Sequence, residues 1–83
     1  MPTNSHDLDL LHQLGKRIAY LRKKKGMSQL NLSLESEISK SYLSDLECGR
    51  RNPSLLTLGR ISRALGVTLE ELFRGIVSLE ELL

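Results

Sequence analysis

The chain is poor in the residues that typify extracellular or membrane-embedded folds. It has one cysteine in 83 residues, no tryptophan and one phenylalanine. A lone Cys48 excludes an internal disulfide and a cysteine-based structural zinc site within one chain. No apolar run approaches the roughly 18 residues of a membrane span, and the N-terminal stretch MPTNSHDLDLLHQLGK lacks the basic start and apolar stretch of a secretory signal. We therefore predict a small cytoplasmic protein without membrane association.

Motifs for catalysis are also missing. His6 and His12 are the only histidines, and neither has a partner at a convincing metal-binding spacing. The sequence contains no Gly-rich phosphate loop, nucleophile elbow or paired-carboxylate cleft. The adjacent glutamates at 70–71 and 80–81 fit the positive end of a helix dipole better than acid–base work. A chain of this length leaves little room for an active-site cleft, so we predict no enzyme, no cofactor and no metal site.

Charge is segregated along the chain although its net value is only +2. Between Leu10 and Arg63 there are eleven Lys/Arg and four Asp/Glu, a local balance of +7, whereas the segment from Ala64 onward has a balance of −3. A nucleic-acid face beside an acidic flank would produce such an asymmetry. A basic surface that is merely solvated would produce it as well.

Glycine, proline and serine recur at short intervals and divide the chain into short helices, while the period-two alternation of strands is absent. Serine or threonine caps are expected at Ser28, Ser39, Ser54 and Thr68. The predicted helices are about Asp9–Lys25, Ser28–Glu35, Ser39–Cys48, Ser54–Leu65, a fifth from Thr68, and a last one over Leu79–Leu83. In the fourth helix one face is expected to hold Leu55, Leu58, Ile61, Ala64 and Leu65.

This pattern predicts an all-α domain of five to six helices around one core. The second helix, a turn and the third helix match a helix-turn-helix arrangement, with a generic helical bundle as the alternative. We divide the chain into a flexible N-terminus (1–8), the helix-turn-helix domain (9–75) and a C-terminal helical segment for dimerisation (76–83).

The third helix has an apolar side and a short polar side. On a helical wheel Leu43 and Leu46 lie together with Glu47. The opposite side holds Lys40, Ser41, Ser44, Asp45 and Cys48. Short hydroxyl side chains allow close approach to a groove, and a lysine can donate to guanine O6 and N7. Residues near the start of such a helix usually read the major groove.

Glu47 lies on the inward edge of this helix, so its carboxylate needs a partner. Arg22, four residues after Ile18, sits at the margin of the apolar face of the first helix. We predict an Arg22–Glu47 ion pair that locks the first helix to the third, with a structural and not a catalytic role.

Several short motifs at fixed spacing together carry a family resemblance over about Leu14 to Phe73. They are Gly26-Met27-Ser28-Gln29, Ser39-Lys40-Ser41-Tyr42-Leu43-Ser44, Leu46-Glu47, Arg51-Asn52-Pro53-Ser54 and Ala64-Leu65-Gly66-Val67. This combination closely resembles the phage-repressor/Cro-type (Xre family) helix-turn-helix. Its relatives include restriction–modification controller proteins and sporulation or biofilm repressors.

The resemblance implies a lambda-repressor-like fold and a sequence-specific transcriptional regulator of the repressor type, which binds operator DNA through a major-groove recognition helix (about 39–48). It implies base reading by Lys40, Ser41, Ser44 and Asp45. It implies phosphate contacts by Gln29, Ser39, Tyr42, Arg50, Arg51 and Asn52. The family's buried Arg–Glu pair maps to Arg22 and Glu47.

The chain departs from the family pattern at two positions. The family commonly has an apolar residue followed by Gly in the turn, where this chain has Ser36 and Glu37. Glu37 must then adopt a positive φ at a cost of about 1 kcal/mol, or the turn must differ. Gly59 inside the fourth helix should weaken that helix by about 1 kcal/mol relative to Ala. Gly59 marks either close packing or simple tolerance, and tolerance is favoured.

A single recognition helix covers few base pairs, so useful specificity calls for a dimer on a palindromic operator. The C-terminal region holds more apolar side chains than a short segment can bury in its own domain. We predict an isologous interface formed by Leu69, Leu72, Phe73, Ile76, Val77 and Leu79. The alternative is that these residues only complete the core of the monomer.

A second class of function remains open on sequence alone. The same fold serves protein-interaction or antitoxin-like modules, which would act by capturing another protein. Partners beyond DNA and a second copy would then be RNA polymerase or an antagonist protein. Saturable binding to duplex DNA separates the two classes.

Overall fold

The computed structural model describes residues 4–77, and this part of the chain contains five α-helices and no strand. The helices are α1 (Ser5–Lys24), α2 (Gln29–Ser36), α3 (Lys40–Glu47), α4 (Leu55–Leu65) and α5 (Leu69–Leu72). The all-α prediction with its helix-turn-helix order is confirmed. The predicted helix over Leu79–Leu83 lies outside the described residues. None of the five helices has the length and apolar character needed to cross a membrane.

Local capping chemistry explains where α2 to α5 begin. Ser28, Ser39, Ser54 and Thr68 each accept a hydrogen bond from the backbone N–H three residues ahead. At α2 the cap is reciprocal, because the Asn31 side chain also accepts from the Ser28 backbone N–H. These bonds satisfy N–H groups that have no partner within the helix. The four caps predicted from the sequence are therefore confirmed.

The first helix begins one turn earlier than predicted, at Ser5 instead of Asp9. Asn4 caps it, since the Asn4 Oδ1 accepts from the Asp7 N–H at 2.9 Å. Asp7 in the first turn also complements the helix dipole. The expectation that residues 1–8 form a flexible N-terminus is corrected for residues 5–8, which are helical.

One apolar core joins the five helices. Its buried side chains are Leu14, Ile18, Leu32, Leu43, Leu46, Leu58, Ile61, Leu65 and Leu72. Leu55, expected on the inner face of α4, is instead 65% exposed. It is the first residue of α4, whereas the buried Leu58 and Ile61 follow about one and two turns later.

The backbone at two special positions supports the packing of the helix-turn-helix. Glu37 ends α2 in the left-handed region at φ 60° and ψ 40°, which is the first of the two alternatives that the sequence left open. Gly15 lies where α1 crosses the end of α3. A Cβ there would approach the Glu47 carbonyl oxygen to 2.5 Å, so only glycine allows this contact. Around Gly59, by contrast, a Cβ would meet nothing within 4 Å, which agrees with tolerance and not close packing.

The described part of the C-terminal region is attached to α1. The Gln13 side chain forms two hydrogen bonds with the Val77 backbone, donating to its carbonyl at 2.8 Å and accepting from its N–H at 3.0 Å. The Arg17 guanidinium donates to the Glu71 carbonyl at 2.8 Å. These bonds hold α5 and the chain that follows it against the domain.

The expected dimer residues divide into two groups. Leu72 is fully buried in the core of the monomer, so its assignment to an interface is corrected: no part of its side chain reaches the surface. Leu69 and Ile76 are half-buried against the same core. Phe73 and Val77 remain 38% and 42% exposed. The sixth expected residue, Leu79, lies outside the described residues.

Candidate nucleic-acid interface

The turn between α2 and α3 fixes the direction of α3. The Ile38 N–H donates to the Ser33 carbonyl at 3.0 Å, which closes the end of α2 over the left-handed Glu37. Ser39 then caps α3 through the Tyr42 N–H at 3.0 Å. Below, Leu43 and Leu46 are fully buried and anchor α3 to the core.

The opposite side of α3 faces solvent. Lys40 and Ser41 are exposed, and Ser44 and Asp45 are half-buried beside them. The structure thus brings the four expected base-reading residues onto one accessible face. Because all four except Lys40 have short side chains, this face presents a shallow ridge, which suits close approach to a groove floor.

A buried ion pair fixes α3 relative to α1. The Arg22 Nε lies 2.7 Å from Glu47 Oε2, the Arg22 Nη2 lies 3.0 Å from Glu47 Oε1, and both side chains are at least nine-tenths buried. Arg22 also donates to the Met27 carbonyl at 2.9 Å. The structure therefore contains the Arg22–Glu47 pair expected from the helical wheel, with the bidentate geometry that makes Arg–carboxylate contacts strong.

Gln29 belongs to the same network. Its Nε2 donates to Glu47 Oε1 at 2.9 Å, so the first residue of α2 is tied to the last residue of α3. Sequence reasoning assigned Gln29 to a phosphate contact and did not foresee this bond. One amide N–H is occupied, and the carbonyl end and the remaining N–H stay available for other partners.

A basic loop follows α3. Arg50, Arg51 and Asn52 are all exposed, and the buried Pro53 ends the loop. The Arg50 N–H donates to the Asp45 carbonyl at 2.8 Å, and the Arg51 guanidinium lies 5.2 Å from the centre of the Tyr42 ring. The loop is thus held close to the solvent-facing side of α3.

Other cations have structural roles that the sequence did not reveal. The Lys25 ammonium donates to the Leu65 carbonyl at 2.8 Å and so caps the end of α4. Tyr20 is flanked by Arg17 and Lys24 at 5.5 and 5.7 Å from its ring centre. No local sequence pattern predicts the contact between Lys25 and Leu65, because the two residues lie far apart in the chain.

The described residues show no sign of a reactive centre. Within residues 4–77 no group of three His, Cys, Asp or Glu side chains is placed to hold a metal ion. The apolar groove between α1, α4 and the chain after α5 is lined by Leu10, Leu11, Leu14, Asn52, Pro53, Leu58, Phe73 and Ile76. None of these is an acid, a base or a nucleophile.

Comparison with known proteins agrees with this geometry. A family model described as helix-turn-helix, HTH_3, matches residues 18–72. The chain is 43% identical over 65 residues to the uncharacterised HTH-type transcriptional regulator y4dJ of Sinorhizobium fredii, covering 78% of this chain and 84% of the relative. It is 39% identical over 69 residues to the control protein C.MunI of a Mycoplasma species, covering 82% and 93%.

A solved structure shares the fold. The restriction–modification controller protein C.AhdI of Aeromonas hydrophila superposes with a TM-score of 0.75 at 38% sequence identity, covering 76% of this chain and 96% of that one. The match extends over most of both chains, so the similarity concerns the whole domain and not the helix-turn-helix alone. The chain therefore belongs to the HTH_3 family of helix-turn-helix transcriptional regulators, DNA-binding proteins without enzymatic activity.

Proposed function

We propose that this protein is a sequence-specific regulator that binds a palindromic operator as a homodimer, with α3 in the major groove. The observation that carries the proposal is the construction of α3. Two fully buried leucines, Leu43 and Leu46, anchor it from below, and a bidentate ion pair fixes its end. Its other face, with Lys40 and Ser41, is open to solvent. We also propose that the protein acts in the cytoplasm.

Base reading is assigned to Lys40, Ser41 and Ser44. All three lie in the first two turns of α3, on the side away from the core. In helix-turn-helix docking the start of the recognition helix contacts base edges. Lysine is suited to guanine O6 and N7, and serine hydroxyls donate or accept at either kind of base pair.

Phosphate contacts are assigned to both ends of this face. Arg50, Arg51 and Asn52 are exposed beyond the end of α3. Ser39 and Tyr42 lie at the beginning of α3. Gln29 is the first residue of α2, where unpaired backbone N–H groups attract anions. Such contacts supply affinity and orientation but no sequence information.

We assign the dimer interface to the surface around α5. Phe73 and Val77 are exposed there, with Leu69 and Ile76 half-buried beside them. Two copies related by a two-fold axis would present two α3 helices to half-sites about 34 Å apart, one turn of the duplex. Leu79, which the sequence also suggested for this interface, lies outside the described residues.

The test is selection of bound duplexes from a random pool, followed by affinity measurements on variants. We expect an inverted repeat to be enriched. Lys40→Ala should lose preference at one base pair of each half-site, and Arg51→Ala should weaken binding to all sequences alike. Lys16→Ala, which removes an exposed cation on α1, serves as the matched control and should change neither.

Two outcomes would contradict the proposal. Absence of saturable duplex binding at moderate salt would leave a protein-interaction or antitoxin-like module on the same fold. Enrichment of a single half-site without symmetry, together with a monomer in sedimentation at micromolar concentration, would remove the dimer while keeping the DNA reader.

A further inference from the structure

Asp45 organises the basic loop through both its backbone and its side chain. Its carbonyl accepts from the Arg50 N–H at 2.8 Å and from the Cys48 N–H at 3.1 Å. Its carboxylate oxygens lie 3.7 Å from Arg50 Nη1 and 3.4 Å from Arg51 Nη2. One residue of α3 thus holds both arginines that follow the helix.

The carboxylate is placed where it competes with DNA phosphates. The Asp45 side chain is 32% exposed, and both arginine side chains are at least half exposed. Ion pairs this open contribute little and exchange readily. A phosphate oxygen offers a guanidinium the same kind of charge-assisted hydrogen bond, so each arginine can leave Asp45 for the duplex.

Base reading by Asp45, which the sequence suggested, would use the same oxygen atoms. Asp accepts from the exocyclic amino group of cytosine in the major groove. In the free protein the Asp45 carboxylate oxygens face the guanidinium groups of the two arginines in the loop. Lys40 lies at the other end of α3. The contacts favour a role exerted through the arginines.

We infer that Asp45 is a positioning residue and counter-ion for Arg50 and Arg51, which lowers binding to unrelated DNA more than binding to the operator. The inference rests on the proposed function. On unrelated DNA the arginines give up Asp45 without any base contact to fix the loop against the backbone. On the operator, base contacts fix the position of α3 on the duplex. The two arginines can then move from the Asp45 carboxylate to phosphates that are already in place.

The experiment compares the full chain with Asp45→Asn on the selected operator and on an unrelated duplex of equal length, across a salt series. We expect binding to the unrelated duplex to tighten roughly three- to tenfold, as the loss of two surface pairs would allow. The plot of log K against log salt should steepen by about one to two units on that duplex. Operator affinity should change less, so the specificity ratio falls.

Three controls separate this role from a general effect of charge. Glu35→Gln removes one exposed negative charge near the end of α2, away from the residues assigned to DNA and to the second copy, and should leave both affinities unchanged. In an Arg50→Gln, Arg51→Gln background, Asp45→Asn should lose its effect, because the groups it acts through are gone. Asp45→Glu retains the charge and should keep the wild-type salt dependence. Circular dichroism of each variant verifies the helical fold.

Three results would overturn the inference. An altered preference at a single base pair, with an unchanged slope on the unrelated duplex, would make Asp45 a base reader. An equal effect of Asp45→Asn with and without the arginines would show that it does not act through them. Unchanged binding of Asp45→Asn to both duplexes would remove any role. In each case the wild-type protein still binds its operator, so the proposed function stands; only a wild-type chain that binds no duplex removes both.

Discussion

Arg22 of α1 and Glu47 of α3 form a two-bond ion pair, with N–O distances of 2.7 and 3.0 Å, on side chains at least nine-tenths buried. Because both charges are withdrawn from water, each depends on the other. Arg22→Ala should therefore lower the free energy of unfolding by about 3–5 kcal/mol, as measured by urea denaturation. Arg22→Met combined with Glu47→Leu should lose much less, since no charge is then stranded. Equal losses in the single and double variants would contradict this account.

The two helix-interior glycines should respond oppositely to alanine. At Gly15 a Cβ would meet backbone carbonyl oxygens of Leu46 and Glu47 at 2.5–2.6 Å, so α1 and α3 must separate. We expect Gly15→Ala to destabilise by about 1–3 kcal/mol, the range found for overpacked sites. Gly59→Ala meets nothing and should stabilise by about 0.5–1 kcal/mol. Thermal unfolding of both variants measures the contrast, and a shift in the same direction would contradict it.

The turn of the helix-turn-helix carries a removable strain. Glu37 has a φ of 60°, a conformation that costs a residue with a Cβ about 1 kcal/mol and costs glycine little. Glu37→Gly should raise the free energy of unfolding by only a few tenths of a kcal/mol, because the greater entropy of the unfolded glycine offsets about 0.4–1 kcal/mol of the relieved strain. Glu35→Gly, at the penultimate residue of the same helix, is the matched control and should destabilise. Chemical denaturation of both variants settles the sign.

The proposed dimer surface predicts a concentration-dependent change for an exposed aromatic side chain. Phe73→Glu should weaken self-association about tenfold or more, because an interfacial aromatic is commonly worth 1–2 kcal/mol. Leu56→Glu, at a 78% exposed position on α4, introduces the same charge away from α5 and should leave association unchanged. Sedimentation equilibrium is the measurement. If only the Leu56 variant dissociated, the two-fold axis would lie beside α4.

Features coded within a few residues were predictable from the sequence. A helix cap can be predicted from a hydroxyl residue and the three residues after it, because the capping hydrogen bond joins the hydroxyl oxygen to the backbone N–H three residues ahead. The caps predicted in this way are Ser28, Ser39, Ser54 and Thr68. The division of α3 into a buried and an open face follows from its periodicity. The cap Asn4 was not predicted, because the buried apolar side chains that mark α1 begin only at Leu14, more than two turns after it.

Features that depend on how helices pack together or how a loop folds back were not predictable in the same way. Nothing near Gly15 in the chain indicates that the end of α3 passes over it. The contact of Asp45 with both arginines depends on how the loop folds back after Gly49, which has a φ of 78°. Leu72 was misassigned because apolarity marks a residue for burial without saying whether its own core or a second copy buries it. The Arg22–Glu47 pair could be foreseen because a carboxylate on an inward edge requires a cation.

The two hydrogen bonds between the Gln13 amide and Val77 copy the exchange that one strand makes with the next, although no strand is present in residues 4–77. A glutamine on α1 thereby fixes the backbone position of Val77. Any surface assembled on Phe73 and Val77 is shaped before a second molecule arrives. Association at this site would then cost little conformational entropy, because the interface is already ordered in the free protein.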